Sequence, residues 1–147
     1  MNTKKTIFSV IIIILFLGAG YFLSEKDKSE SYIQIGGQKV EVKVVDTKEE
    51  QELGLSGHPG LEENEGMLFV FGLSEKHGFW MKDMNFAIDM IWIGEDMKIV
   101  YIKKNATPES YPEIFIPTQN AKYVLEVVAG FSEKNNVKVG DQLEMNL

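Results

Sequence analysis

The stretch FWMKDMNFAIDMIWI, residues 79–93, is almost entirely aromatic, Met and aliphatic, yet it carries Lys82, Asp83 and Asp89. Apolar runs of this kind belong inside a protein, and a charge taken in with them needs a partner. Short apolar segments separated by polar residues read as strands. Residues 79–81 and 88–93 are therefore expected as two strands around a turn at 82–85, with Asp83 an exposed turn residue. Lys82 and Asp89 are the charges that need an explanation.

Working outward, the flanks repeat the strand signal. Residues 32–35 and 39–45 alternate polar and apolar side chains around Gly36-Gly37, a hairpin pattern. In the second of these, Val40, Val42 and Val44 share one face, and Lys39, Glu41 and Lys43 share the other. Thr47 and Glu50 fit a capping box that opens a short helix ending at Gly54. Residues 55–65 read as a loop turning at His58-Pro59-Gly60. Residues 67–71 form a continuous apolar run, short enough for a buried strand. Strands follow at 98–103 and 123–128, with a turn at 94–96 between 88–93 and 98–103. An irregular loop at 104–119 holds three of the four prolines. Residues 130–136 suit a helical turn, and 137–145 close the domain with a last strand. The fold class is mainly β (α+β): a curled antiparallel sheet or small barrel with one or two short helices. There is no β-α-β alternation, and no dinucleotide, P-loop or nucleophile-elbow motif.

At the N-terminus, Lys4 and Lys5 precede an apolar run over residues 7–23. The run is near the lower limit for a spanning helix, about 17 residues. Positive charge before it keeps the start cytoplasmic and sends the rest outside. Residues 1–23 are expected as a single-pass membrane anchor, 24–31 as a polar linker and 32–147 as an extracytoplasmic domain. The alternative is secretion after signal cleavage near Gly18-Ala19-Gly20, which resembles a small-residue cleavage site.

Composition narrows the partners. The formal net charge is −7, and all 15 basic residues are Lys. A nucleic-acid partner is not expected of an acidic chain without Arg. The absence of Cys excludes disulfides and thiol chemistry. His58 and His77 sit in expected loops without metal-ligand spacing, so no metal and no cofactor are expected. The acidic loop with Glu62, Glu63 and Glu65 lacks the alternating spacing of a calcium loop. Met81, Met84 and Met90 stand among aromatic residues, where core packing accounts for them.

Several segments together resemble domain-of-unknown-function family 192. They are V-V-D-T-K-E-E-Q-E-L-G-L (44–55), E-G-M-L-F-V-F (65–71), residues 79–93, K-Y-V-L-E-V-V-A-G (122–130) and V-K-V-G-D (137–141). The resemblance covers roughly residues 38–146. It implies a small exported or membrane-anchored prokaryotic protein without an established activity. Trp80, Met81, Lys82 and Asp89 match the family pattern. Asp83 stands where Asn is usual, and Ala87 where Pro is usual.

Two readings of the charges follow. Asp89 and Glu126 each sit in an apolar strand, and Lys82 is the nearest cation in sequence. In the first reading Lys82 pairs with Asp89, Glu126 or both in a partly buried ion network that only specifies the fold. In the second, Phe79, Trp80 and Met81 line a ligand pocket with Lys82, Asp89 and Glu126 as polar anchors. The favoured function is a non-catalytic binding or accessory module at the cell envelope, with a glycan or protein ligand and no catalytic residue. The alternatives are an enzyme acting on envelope carbohydrate through the Lys/Asp/Glu set, which needs carboxylates about 5–9 Å apart, and a purely structural or interaction protein.

Overall fold

A computed structural model describes residues 31–147. The expected anchor at 1–23 and all of the linker but Ser31 lie outside the described residues. Among the described residues no helix is long and apolar enough to cross a membrane.

Seven strands form one sheet: β1 (Tyr32–Ile35), β2 (Gln38–Val45), β3 (Glu65–Glu75), β4 (Ile88–Ile93), β5 (Ile99–Ala106), β6 (Ala121–Val128) and β7 (Glu144–Asn146). Two short helices accompany them, α1 (Lys48–Leu53) and α2 (Phe131–Lys134). The strand order is β5-β4-β6-β3-β2-β1-β7. The sheet curls into a half-barrel whose two edges meet. The Ile99 N–H donates to the Asp141 carbonyl (3.0 Å), and the Leu143 N–H donates to the Met97 carbonyl (3.0 Å). The chain entering β7 thereby bonds to the chain entering β5, so neither edge is left bare there.

The expected mainly β, curled sheet with short helices is the architecture found. Two details differ. First, β2 and β3 are parallel, Glu41 facing Glu65 and Val45 facing Phe69. Helix α1 and the loop after it carry the chain back along the sheet, which gives a parallel neighbour, not a hairpin. Second, residues 79–81 are not a strand. Phe79 makes one isolated bridge to Phe115, and the chain around it crosses the outside of the sheet.

Local chemistry explains the elements. Gly36 and Gly37 both have positive φ, 57° and 76°, the conformation of a tight hairpin turn that glycine adopts without strain. The Glu50 N–H donates to the Thr47 hydroxyl (3.3 Å), which in turn donates to the Glu50 carboxylate (2.9 Å). Helix α1 buries no residue and is held to the sheet by the Gln51 amide, which donates to the Val70 carbonyl at 2.8 Å.

The sheet has a core on each face. Inside the curl lie Ile33, Val40, Leu68, Ile91, Ile93, Leu125 and Val127, closed at one end by Phe131 and Val137. Outside lie Met67, Phe69, Met81, Ile88, Met90, Trp92, Phe115 and Val124, covered by the chain that runs over the sheet. All six residues of β4 are therefore buried, which is why I-D-M-I-W-I reads as an apolar run and not an alternating one.

Candidate functional site

Strand β6 lies between β4 and β3, and its register separates the two buried carboxylates. Asp89 faces Val127, and Met90 faces Glu126. Facing residues share a side, and successive residues take opposite sides. Asp89 thus points into the curl with Ile91 and Val127, and Glu126 points outward with Met90, Met67 and Val124.

Asp89 is fully buried, and both its oxygens are bonded. Its Oδ1 accepts the Asn105 N–H (2.8 Å) and the Gly130 N–H (3.1 Å), and its Oδ2 accepts the Ser132 N–H (2.8 Å). Three backbone donors replace the water a carboxylate loses on burial. They tie β5 and the start of α2 to β4. The expected network with Lys82 is not formed. Lys82 is exposed in the turn on the outer side, separated from Asp89 by the sheet, and no ion pair among the described residues includes Lys82, Asp89 or Glu126.

Glu126 is the opposite case. It retains 5% of its surface, its Oε2 is shut from water without a hydrogen-bond partner among the described residues, and its register neighbours are Met67 and Met90. Burial pushes its carboxyl from 4.5 up to about 8. It sits in a cleft of about 310 Å³. One wall of the cleft comes from α1 and the turn after it, with Lys48, Glu52, Leu53 and Ser56. Phe69 and Phe71 line it from β3. His77, Phe79, Trp80, Lys82 and Met84 line it from the chain crossing the sheet. Phe79 is edge-on to Phe69 at 4.8 Å between centroids, and His77 stacks on Phe71 at 3.6 Å. Trp80 is 51% exposed at the mouth.

The walls are anchored. The buried indole N–H of Trp92 donates to the His77 carbonyl at 2.8 Å. Phe79 and Phe115 exchange backbone bonds of 3.0 and 2.8 Å. The Ser56 hydroxyl donates to the Lys82 carbonyl (3.0 Å), and the Gly57 N–H donates to the Asp83 carbonyl (2.8 Å). Asp83 holds φ 55°, a left-handed conformation that Asn and Asp tolerate best, so Asp can stand there in place of Asn.

Of the residues singled out by sequence, Phe79, Trp80, Lys82 and Glu126 meet at this cleft. Met81 does not line it and is buried in the outer core. Asp89 belongs to the other face. His77, Phe69 and Phe71 were not singled out. Phe69 and Phe71 carry a signal, since residues two apart in a strand share a face; His77 carries none.

A model of domain-of-unknown-function family 192, described as an uncharacterized ACR, matches residues 31–145. The UPF0127 protein PF1050 of Pyrococcus furiosus is 31% identical over 85 residues, which is 54% of this chain and 67% of that protein. A crystal structure from Sinorhizobium meliloti 1021, of a protein for which a role in transcription regulation has been suggested, superposes with a TM-score of 0.73 at 29% identity. That match covers 79% of this chain and 92% of that one. A protein of unknown function from Novosphingobium aromaticivorans DSM 12444 superposes with a TM-score of 0.72 at 26% identity, covering 78% of this chain and 83% of that one. With the family pattern matched over most of its length and its fold shared with solved relatives, this chain belongs to domain-of-unknown-function family 192.

Proposed function

We propose that the domain is a non-catalytic binding module that takes a small ligand in the cleft over Glu126. The observation that carries this reading is the unpartnered Glu126 carboxyl at an aromatic-walled cleft. A buried polar atom without a partner destabilises a fold by about 1–3 kcal/mol, and a ligand that bonds it recovers that energy. Few polar groups among aromatic walls is the usual make-up of a small-molecule site. An enzyme built on both carboxylates loses its basis, because Asp89 is spent on backbone amides across the sheet. The acidic, Arg-free composition favours a small ligand over nucleic acid.

The reading includes a place: the outer face of the cell membrane, with residues 1–23 as anchor. The basic flank and apolar run support it. Fractionation tests the place, and a soluble mature form would overturn it. Saturation-transfer NMR on the full-length protein with a set of one-ring fragments tests the site. Binding is expected in the wild type and is expected to weaken in Trp80→Ala, which removes a half-exposed ring from the mouth. The site reading fails if no fragment binds, or if Trp80→Ala leaves binding intact.

A further inference from the structure

We propose that the cleft takes a small organic acid, its apolar ring held between Phe71, Phe79 and Trp80, a neutral oxygen accepting a hydrogen from Glu126, and its anionic group meeting Lys82 at the mouth. This rests on the binding-module reading above and adds the class of ligand.

The geometry sets each end. Glu126 lies between Met67 and Met90, its Oε2 is closed to water and has no hydrogen-bond partner among the described residues, and no ion pair among them includes it. A charge is costly on a carboxyl buried among methionines with an unbonded oxygen, so the group is held as the neutral acid. A neutral carboxyl carries a hydrogen to give, and that selects an acceptor such as a carbonyl or hydroxyl oxygen. The raised titration, to about 8, agrees with this.

The mouth carries the opposite preference. The titratable groups facing the cleft are Lys48 and Glu52 on α1 and His77 and Lys82 on the crossing chain; β3 and β4 set Met67 and Met90 beside Glu126, and β3 adds Phe69 and Phe71, none of which titrates. Lys48 is paired with Glu52 at 3.8 Å. His77 is stacked on Phe71, with Nε2 at 3.1 Å from the Leu73 carbonyl. Lys82 has no ion-pair partner among the described residues. With Glu126 neutral, the unbalanced charge round the cleft is one ammonium, which suits an anion. At about 310 Å³ the space fits a one-ring ligand, being at the small end of the usual range, about 300–1,000 Å³.

Three probes separate the chemistries on the full-length protein, with tryptophan emission as readout: N-acetyl-phenylalanine, its uncharged amide, and phenethylamine. N-acetyl-phenylalanine is expected to bind best, with the amide about fivefold weaker, the scale of one exposed charge contact. Lys82→Gln should bring the acid down to the level of the amide. In the wild type the affinity for the acid should fall about tenfold per unit above pH 8, as Glu126 ionises and loses its hydrogen. Glu126→Gln keeps a donor that does not titrate, so it should bind at pH 7 and lose that fall. If phenethylamine binds best, or if Glu126→Gln abolishes binding of the acid at pH 7, the ligand class is overturned and the cleft reading stands. If none of the three binds folded protein, both fall.

Discussion

Asp89 and Glu126 lie on neighbouring strands, one register step apart, and the sheet treats them in opposite ways. On the inner face three backbone N–H groups converge on Asp89. On the outer face two methionines flank Glu126, and one of its oxygens has no partner among the described residues. Both are buried acids in apolar strands, so burial alone does not separate structure from function. What separates them is satisfaction. A carboxylate with both oxygens bonded is spent on the fold, while one left open at a cleft is available to something else.

The comparison breaks first at Asp89. Asp89→Ala removes the acceptor for three backbone amides, that of Ser132 buried and those of Asn105 and Gly130 partly buried. We expect a loss of about 4 kcal/mol, the scale of stripping one side from a buried charged contact. Denaturant unfolding with an unchanged m-value would measure it. A loss under about 1 kcal/mol would mean that the three bonds do not hold β5 and α2 to β4.

Glu126→Gln should do the reverse. Burial holds the folded carboxyl near 8, against 4.5 when free. Between those values the folded chain keeps a proton that the unfolded chain releases. Wild-type stability therefore falls as pH rises from about 4.5 to about 8, and is level above that. Gln does not ionise and escapes this loss. The variant should be more stable by about 3 kcal/mol at pH 7, and the gain should vanish near pH 4.5. Paired melting curves across that range test it; a gain independent of pH would show that the native acid is not held neutral.

Much of the fold is legible in the sequence, the contrast between the two acids is not, and the missing part has a physical cause. The Gly36-Gly37 hairpin, the short helix behind Thr47 and the strand at 88–93 rest on local chemistry, and they are found where that chemistry puts them. Trp80, Lys82 and Glu126, read from sequence as one set with Asp89, border the cleft, while Asp89, the expected partner of Lys82, lies on the other face. That pairing failed because register between distant strands is not local. Shifting β6 by one residue against β4 would move Glu126 to the side of Asp89. The parallel neighbour β3 and the crossing chain at 77–84 also depend on where α1 leads the chain back. The three donors to Asp89 are backbone groups, which no side-chain pattern marks.

Gly66 joins the two faces. A Cβ there would sit 2.9 Å from the carbonyl oxygen of Glu126 and 3.1 Å from Leu125 Cδ1. The first neighbour is sheet backbone, so it cannot turn aside. Gly66→Ala should destabilise by about 2 kcal/mol, as overpacking does, and it should shift β6 where Glu126 leaves the strand. A melting temperature matching wild type would show that β3 and β6 can separate without loss.

The smallest expected effect sharpens the comparison most. Lys82 is exposed, makes no ion pair among the described residues, and enters the fold through its backbone carbonyl, which accepts the Ser56 hydroxyl. Lys82→Gln keeps that carbonyl and should change stability by no more than about 0.5 kcal/mol. A buried ion network centred on Lys82 would require a loss several times larger, since breaking one side of such a pair costs about 3–5 kcal/mol. An unchanged melting curve, beside the large loss in Asp89→Ala, would assign the inner carboxylate to the fold and leave Lys82 with the outer one at the cleft. Equal losses in the two variants would join them in one structural unit and remove the reason for treating the two faces differently.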